Sequence, residues 1–145
     1  MKIVINTCYG GFNLSPKGAR RYLELSGQNA YYYKQYKYKY TDGINEFIRI
    51  DNIEDVPDIF FYCTTYDQGK IISDYPNDIF NSRDIKRTDP TLVRVVEELG
   101  EESFGACAKL EIVDIEKGRW FKIDEYDGLE TIQYRDIDDE WILAE

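Results

Sequence analysis

A chain of 145 residues, 43% hydrophobic and 32% charged, is long enough for one domain with a single core and too short for two domains of the usual size. It contains no histidine, which excludes Ser-His-Asp, Cys-His and histidine-zinc hydrolase mechanisms. The formal net charge of −10 is divided unevenly, +5 over residues 1–50 and −15 over residues 51–145, so the amino-terminal third can hold a local anion site while the whole protein repels nucleic acid.

The first elements expected along the chain are a strand, a glycine turn and a helix. Residues 2–7 are apolar enough for a short strand, and Gly10 and Gly11 permit a turn that other residues disfavour. The helix is expected to begin at Ser15, which is a good N-cap residue, with Pro16 at the first helical position.

A hairpin is expected next. Residues 31–40 alternate Tyr and Lys in their second half, which is typical of a half-buried strand, and residues 47–50 are expected to return beside it. Residues 59–64, rich in aromatic and β-branched side chains, predict a central strand. The alternation in the first strand predicts two faces: Tyr36, Tyr38 and Tyr40 on one, Lys37 and Lys39 on the other.

The second half of the chain predicts one more long helix and further strands. Residues 66–87 predict an irregular excursion. The apolar spacing after Asp89 predicts a helix that ends at Gly100. Strands are expected over residues 108–112 and 120–126, the latter followed by a tight Asp-Gly turn. Residues 1–145 should therefore form a single α+β domain, a mostly antiparallel sheet of about five strands with two main helices packed on one face.

The cysteine spacing and the length of the apolar runs indicate in which cellular environment the protein is expected. Cys8, Cys63 and Cys107 are odd in number and lack a close Cys-x-x-Cys spacing, which favours buried reduced thiols over disulfides or a zinc site. The longest apolar run, residues 59–63, is too short to span a bilayer. We expect an intracellular protein without a cofactor or a metal.

Three separated stretches carry a resemblance to known sequences. They are residues 1–15 (MKIVINTCYGGFNLS), residues 87–100 (RTDPTLVRVVEELG) with their continuation to Val113, and residues 123–130 (IDEYDGLE). Together they resemble a family of small uncharacterised proteins of phages, prophages and related viral or bacterial genomes. The resemblance implies a small viral or prophage-type protein in the cytoplasm of a host cell, and it brings no activity, ligand or catalytic residue with it.

The basic amino-terminal third contains a candidate ligand site. A glycine turn followed by a helix start can hold an anion, because backbone N–H groups and the positive helix end converge there. The alternative is that the glycines serve packing, the cations form a solvated face, and the Tyr/Lys strand covers the core and protects a sheet edge. The predicted ligand residues are Gly10, Gly11, Ser15, Lys17, Arg20, Arg21, Tyr36 and Lys37.

Two groups of carboxylates are candidates for other roles. An acidic run near the carboxyl terminus either contacts a basic partner as a phosphate mimic or is solvated surface. Asp58 and Asp84, with Lys86, superficially fit a magnesium nuclease pattern. The predicted partner-binding residues are Asp136, Asp138, Asp139, Glu140 and Trp141.

The leading hypothesis for function is a non-catalytic binding protein. Its expected partner is a protein or a small anionic, nucleotide-like ligand. We expect no binding to membranes and no general binding to nucleic acid. Homo-oligomers are compatible with this hypothesis. One alternative is an acidic inhibitor of a host nucleic-acid-binding or defence enzyme. Another is a magnesium-dependent carboxylate hydrolase.

Overall fold

The computed structural model describes residues 1–135 and 142–145, and this part of the chain forms nine strands and three α-helices. The strands belong to three separate antiparallel sheets. The predicted α+β class is confirmed, as are two main helices. The expected single sheet of about five strands is corrected to nine strands in three smaller sheets. Side chains of both main helices pack in one core cluster with Val4 and Leu110.

The first sheet is a two-stranded ribbon in which β1 (Lys2–Asn6) pairs with β6 (Leu110–Asp114). Both faces of β1 are covered. Val4 belongs to a core cluster shared with the helices, whereas Ile3 and Ile5 pack against the third sheet. Burial on both faces explains why β1 is a continuous apolar run rather than an alternating one.

Both long helices begin where their caps predict. The hydroxyl of Ser15 accepts a hydrogen bond from the backbone N–H of Gly18 (3.0 Å) at the start of α1 (Pro16–Leu25). The Asp89 carboxylate caps a later helix, Pro90–Leu99, which we number α3 because a short helix precedes it in the chain. This helix packs on the β1–β6 ribbon, and α1 lies between it and the second sheet.

The second sheet has four strands, β2 (Tyr31–Lys37), β3 (Glu46–Ile50), β4 (Tyr62–Thr64) and β5 (Ile71–Ser73). Their order in the sheet is β4-β2-β3-β5. The predicted hairpin is confirmed, as β2 pairs with β3 in antiparallel fashion. The predicted central strand is instead a three-residue edge strand, β4, and a further edge strand, β5, lies within the stretch predicted to be irregular.

The tyrosines of the hairpin do not line one strand face as predicted. Strand β2 ends at Lys37 after a bulge, and the chain turns into the short helix α2 (Lys39–Asp42), whose start is held by the Asp42 carboxylate accepting from the Tyr38 N–H (2.8 Å). Tyr38 and Tyr40 are therefore exposed. The tyrosines that enter the core are two that the alternation did not single out, Tyr32 and Tyr33, 4% and 0% exposed.

The third sheet has the order β8-β7-β9, with β7 (Trp120–Tyr126), β8 (Leu129–Arg135) and β9 (Ile142–Leu143). The predicted Asp127-Gly128 turn is confirmed and joins β7 to β8. Phe121 is fully buried against the face of β1 that carries Ile3 and Ile5. No helix in residues 1–135 and 142–145 combines the length and apolarity needed to cross a bilayer.

Candidate functional site

Two glycine turns meet at the end of the β1–β6 ribbon. The Gly10 N–H donates to the Asp127 carbonyl oxygen (3.3 Å). A Cβ atom on Gly128 would lie 2.1 Å from the backbone nitrogen of Gly11, so the two turns touch through their backbones. Gly128 also has a φ of +86°, which disfavours other residues. The glycines at this junction are needed for close packing.

Asn6 lies beneath this contact and is fully buried. Its side-chain N–H groups donate to the carbonyl oxygens of Cys8 (2.7 Å) and Gly128 (2.8 Å), and its side-chain oxygen accepts from the Lys109 N–H (2.9 Å). Its backbone N–H donates to Glu130 Oε1 (2.9 Å). A single side chain therefore joins the end of β1, the start of β6 and the β7–β8 turn.

Arg87 and Glu130 form an ion pair next to Asn6. Arg87 Nη2 lies 3.0 Å from Glu130 Oε2, and the two side chains are 14% and 7% exposed. Arg87 Nη1 donates to the carbonyl oxygens of Ile85 (2.6 Å) and Arg83 (3.1 Å), and the guanidinium carbon lies 3.7 Å from the centroid of the Phe12 ring. These bonds offset the desolvation cost that a buried pair carries and fix the loop before α3 against the third sheet.

A cavity of about 290 Å³ opens at this place, and we call it the junction cavity. All three stretches on which the resemblance rests contribute to its wall, although they are remote from one another in the chain. The wall consists of residues 10–12 of the glycine loop, of Arg83 and Arg87, and of four residues of the β7–β8 hairpin: Glu125, Asp127, Gly128 and Glu130.

The junction cavity carries charges of both signs. Arg83 is exposed, and one of its guanidinium nitrogens lies 3.2 Å from the position that a Cβ on Gly11 would take. Its side chain makes no ion pair with any described residue. Glu125, the cross-strand partner of Glu130, accepts from the Gly128 N–H (2.5 Å). Since Arg87 and Glu130 neutralise each other, one guanidinium and two carboxylates, Glu125 and Asp127, are left on the wall.

The start of α1, predicted to hold an anion, lies in a different groove. Four carboxylates line that groove, and its one cation among the described residues, Lys17, is 3.2 Å from Glu54. The Ser15 hydroxyl is already used as the helix cap and as a donor to the Glu102 carbonyl oxygen (2.5 Å). The charge here is unfavourable for an anion. The carboxylates are Glu54, Asp58, Glu101 and Glu102.

The remaining predicted ligand residues lie elsewhere again, so the expected single hollow is not formed. Arg20 lies 3.5 Å from Glu24, and Arg21 lies 2.7 Å from Glu98, whose carboxyl pKa is held below its usual value by Arg21 and then by Arg94. Lys37 lies 4.0 Å from Glu46, beside Tyr36. Of the predicted ligand residues, only Gly10 and Gly11 line the junction cavity, because α1 and β2, which carry the predicted cations, do not contribute to its wall.

The residues that build the junction cavity were mostly missed by sequence reasoning. Arg87 stands at the first position of the second resembling stretch and Glu130 at the last position of the third, which is the only sequence signal that could have found them. Arg83 lies outside the three stretches. Its position on the cavity wall follows from a short 3-10 turn, Ser82–Asp84, that the sequence did not predict.

The cysteines and the nuclease-like carboxylates show no shared site. Cys63 is buried, and burial raises the pKa of its thiol to about 12, whereas Cys107 is exposed, so the prediction of buried thiols is confirmed for Cys63 alone. Asp58 lies in the groove at α1, and Asp84 lies in the 3-10 turn on the surface. No group of three or more His, Cys, Asp or Glu side chains in residues 1–135 and 142–145 is placed to hold a metal ion.

The predicted partner-binding residues Asp136, Asp138, Asp139, Glu140 and Trp141 lie outside the described residues. The chain matches none of the protein families, curated proteins and solved structures with which it was compared. The resemblance to phage and prophage proteins stays a prediction. The case for function therefore depends on the geometry of the junction cavity.

Replacement of Gly128 by alanine tests the contact between the two turns. We expect Gly128→Ala to lower the free energy of unfolding by about 3–5 kcal/mol, because a methyl group has no room beside Gly11. Gly43→Ala is the matched control, since Gly43 also has a positive φ, +80°, but nothing within 4 Å of its Cβ position; it should cost about 1 kcal/mol. If urea unfolding shows equal losses of free energy for the two variants, backbone strain alone explains why glycine is needed at position 128.

Proposed function

We propose that this protein is a non-catalytic binding protein that holds a small ligand in the junction cavity, with Arg83 recognising an anionic group of that ligand. The observation that carries the proposal is an exposed guanidinium, without an ion pair among the described residues, on the wall of a cavity. Guanidinium groups bind carboxylates and phosphates through paired, charge-assisted hydrogen bonds.

Hydrogen bonds connect the segments around the cavity, which favours binding. Asn6, Arg87 and Glu130 join β1, the loop before α3 and the β7–β8 hairpin in this way. A ligand that enters such a cavity does not have to order the protein around it, so more of the contact energy contributes to affinity. The glycine loop is held in the same way, through the Gly10 to Asp127 hydrogen bond.

The size of the cavity limits the ligand. A volume of about 290 Å³ lies just below the range of roughly 300–1,000 Å³ that is usual for ligand pockets. A single small metabolite or the terminal group of a larger molecule fits this volume. A dinucleotide or a strand of nucleic acid does not, and the net charge of −10 opposes nucleic acid as well.

Isothermal titration with inorganic phosphate, adenosine monophosphate and the twenty L-amino acids tests the proposal. We expect at least one probe to bind, and Arg83→Gln to weaken that binding about tenfold or more, because the charge-assisted bonds are lost. Lys86→Gln is the matched control, since Lys86 is exposed and close in sequence but does not line the cavity. Absence of heat with every probe, or equal effects of the two variants, would contradict the proposal.

A second function, binding of a protein partner, is favoured by the second sheet and its loops. Of the fifteen large hydrophobic side chains that are exposed among the described residues, ten lie between positions 36 and 79. Phe47, Tyr62 and Tyr75 form a ring cluster with centroids 4.9–5.8 Å apart. Burial, and after it the neighbouring Tyr75 and Tyr38, raise the pKa of Tyr62. Exposed tyrosines of this kind are enriched in protein interfaces.

Paired tyrosine variants test the second function. A Tyr38→Ser/Tyr40→Ser double variant should lose proteins that the wild type retains from a host lysate after crosslinking, since both rings are exposed in the segment that follows β2. Tyr126→Ser/Tyr134→Ser is the control, because these two exposed tyrosines belong to the third sheet. Circular dichroism should show equal folding of both. If the same proteins are retained by both variants, the surface has no such role.

The other hypotheses stay predictions. The acidic inhibitor depends on residues 136–141, which lie outside the described part of the chain. The magnesium-dependent hydrolase depends on Asp58, which lines the groove at α1, and on Asp84, which lies in the surface turn Ser82–Asp84. Viral or prophage origin and a place in the host cytoplasm rest on the resemblance.

A further inference from the structure

We infer that the ligand of the junction cavity is a small zwitterion, of which an α-amino acid is the simplest kind: its anionic group binds Arg83 and its cationic group binds the carboxylates of Asp127 and Glu125. This inference rests on the proposed function and names the chemical class that the same cavity selects. It narrows the expected anionic ligand to one that also carries a positive charge.

The first step is the charge on the cavity wall. Two arginines and three acidic residues line the cavity, and one pair, Arg87 with Glu130, is neutralised by contacts of 3.0–3.1 Å. What remains is one positive and two negative groups. A simple anion at Arg83 would lie among these two carboxylates in a protein of net charge −10, so the field opposes it.

The second step is that the remaining charges do not pair with each other. No ion pair within 4.0 Å joins Arg83 to Glu125 or Asp127, although all three line one cavity. Glu125 is held by the Gly128 N–H (2.5 Å), and the Arg83 carbonyl oxygen is held by Arg87 Nη1 (3.1 Å). A ligand with both charges can contact groups that do not contact one another.

The third step is that Asp127 is available for a ligand. Its backbone carbonyl oxygen accepts from the Gly10 N–H, while its carboxylate has no hydrogen bond or ion pair with any described residue. Asp127 has a φ of +50° in the two-residue turn. Asparagine adopts this conformation readily, so Asp127→Asn removes the charge and keeps the turn.

Matched ligands separate the two charges in the experiment. The amino acid that binds best in isothermal titration is compared with its N-acetyl derivative, which lacks the cation, and with its amide, which lacks the anion. We expect both derivatives to bind at least about tenfold more weakly than the parent amino acid, because each loses one charge-assisted contact. An N-acetyl derivative that binds as tightly as the amino acid would overturn the inference.

Variants of the protein give the second readout. Asp127→Asn should weaken amino-acid binding about fivefold or more but should leave binding of the N-acetyl derivative unchanged or stronger, since a repulsive carboxylate is removed. Asp124→Asn is the control, because Asp124 precedes Glu125 on β7, carries the same charge and does not line the cavity. Equal effects of the two variants would overturn the inference.

The outcomes distinguish this inference from the proposed function. Suppose that phosphate or an N-acetyl amino acid binds as tightly as the amino acid with its free ammonium group, and that Arg83→Gln weakens this binding. The ligand site is then supported and the zwitterion is wrong. If no probe binds to the wild type, the ligand site itself is wrong. If the parent amino acid binds best and both Arg83→Gln and Asp127→Asn weaken it, both are supported.

Discussion

The buried ion pair of Arg87 and Glu130 is the interaction on which this architecture depends. Glu130 also accepts the backbone N–H of Asn6, 124 positions away in the chain, so one carboxylate joins β1, the loop before α3 and β8. Burying two charges costs free energy that their attraction repays only when the remaining donors and acceptors are bonded. Here the Arg87 bonds to two backbone carbonyls and the stacking on Phe12 meet that requirement.

The same junction forms the cavity to which we assign the proposed ligand site. Asn6 and the two touching glycine turns hold the end of the sheet that forms the cavity wall. Arg87 and Glu130 neutralise each other on this wall. The charges that stay available are those of Arg83, Glu125 and Asp127. A protein that is acidic overall thus keeps one guanidinium on a cavity wall, and we propose that a small molecule, but not a polyanion, binds there.

Local signals predicted the local elements. Capping residues Ser15 and Asp89 predicted both long helices, and Asp127-Gly128 predicted the tight turn that ends β7, because such signals act within a few residues. The division into three sheets and the exposure of Tyr38 and Tyr40 were not predictable. They depend on a bulge in β2 and on which strands meet, which the alternation of Tyr and Lys does not encode. For the site, the glycine loop was predicted, but its cations were assigned to neighbours in sequence rather than to Arg83 and Arg87.

Loss of the Glu130 carboxylate tests this account most directly. Glu130→Ala leaves the Arg87 guanidinium and the Asn6 N–H without their acceptor, so the account predicts a fall in the free energy of unfolding of about 3–5 kcal/mol in urea. Glu97→Ala, which removes an exposed carboxylate 3.6 Å from Lys2, should cost at most about 1 kcal/mol. Equal, small losses for the two variants would contradict a central role for the buried pair.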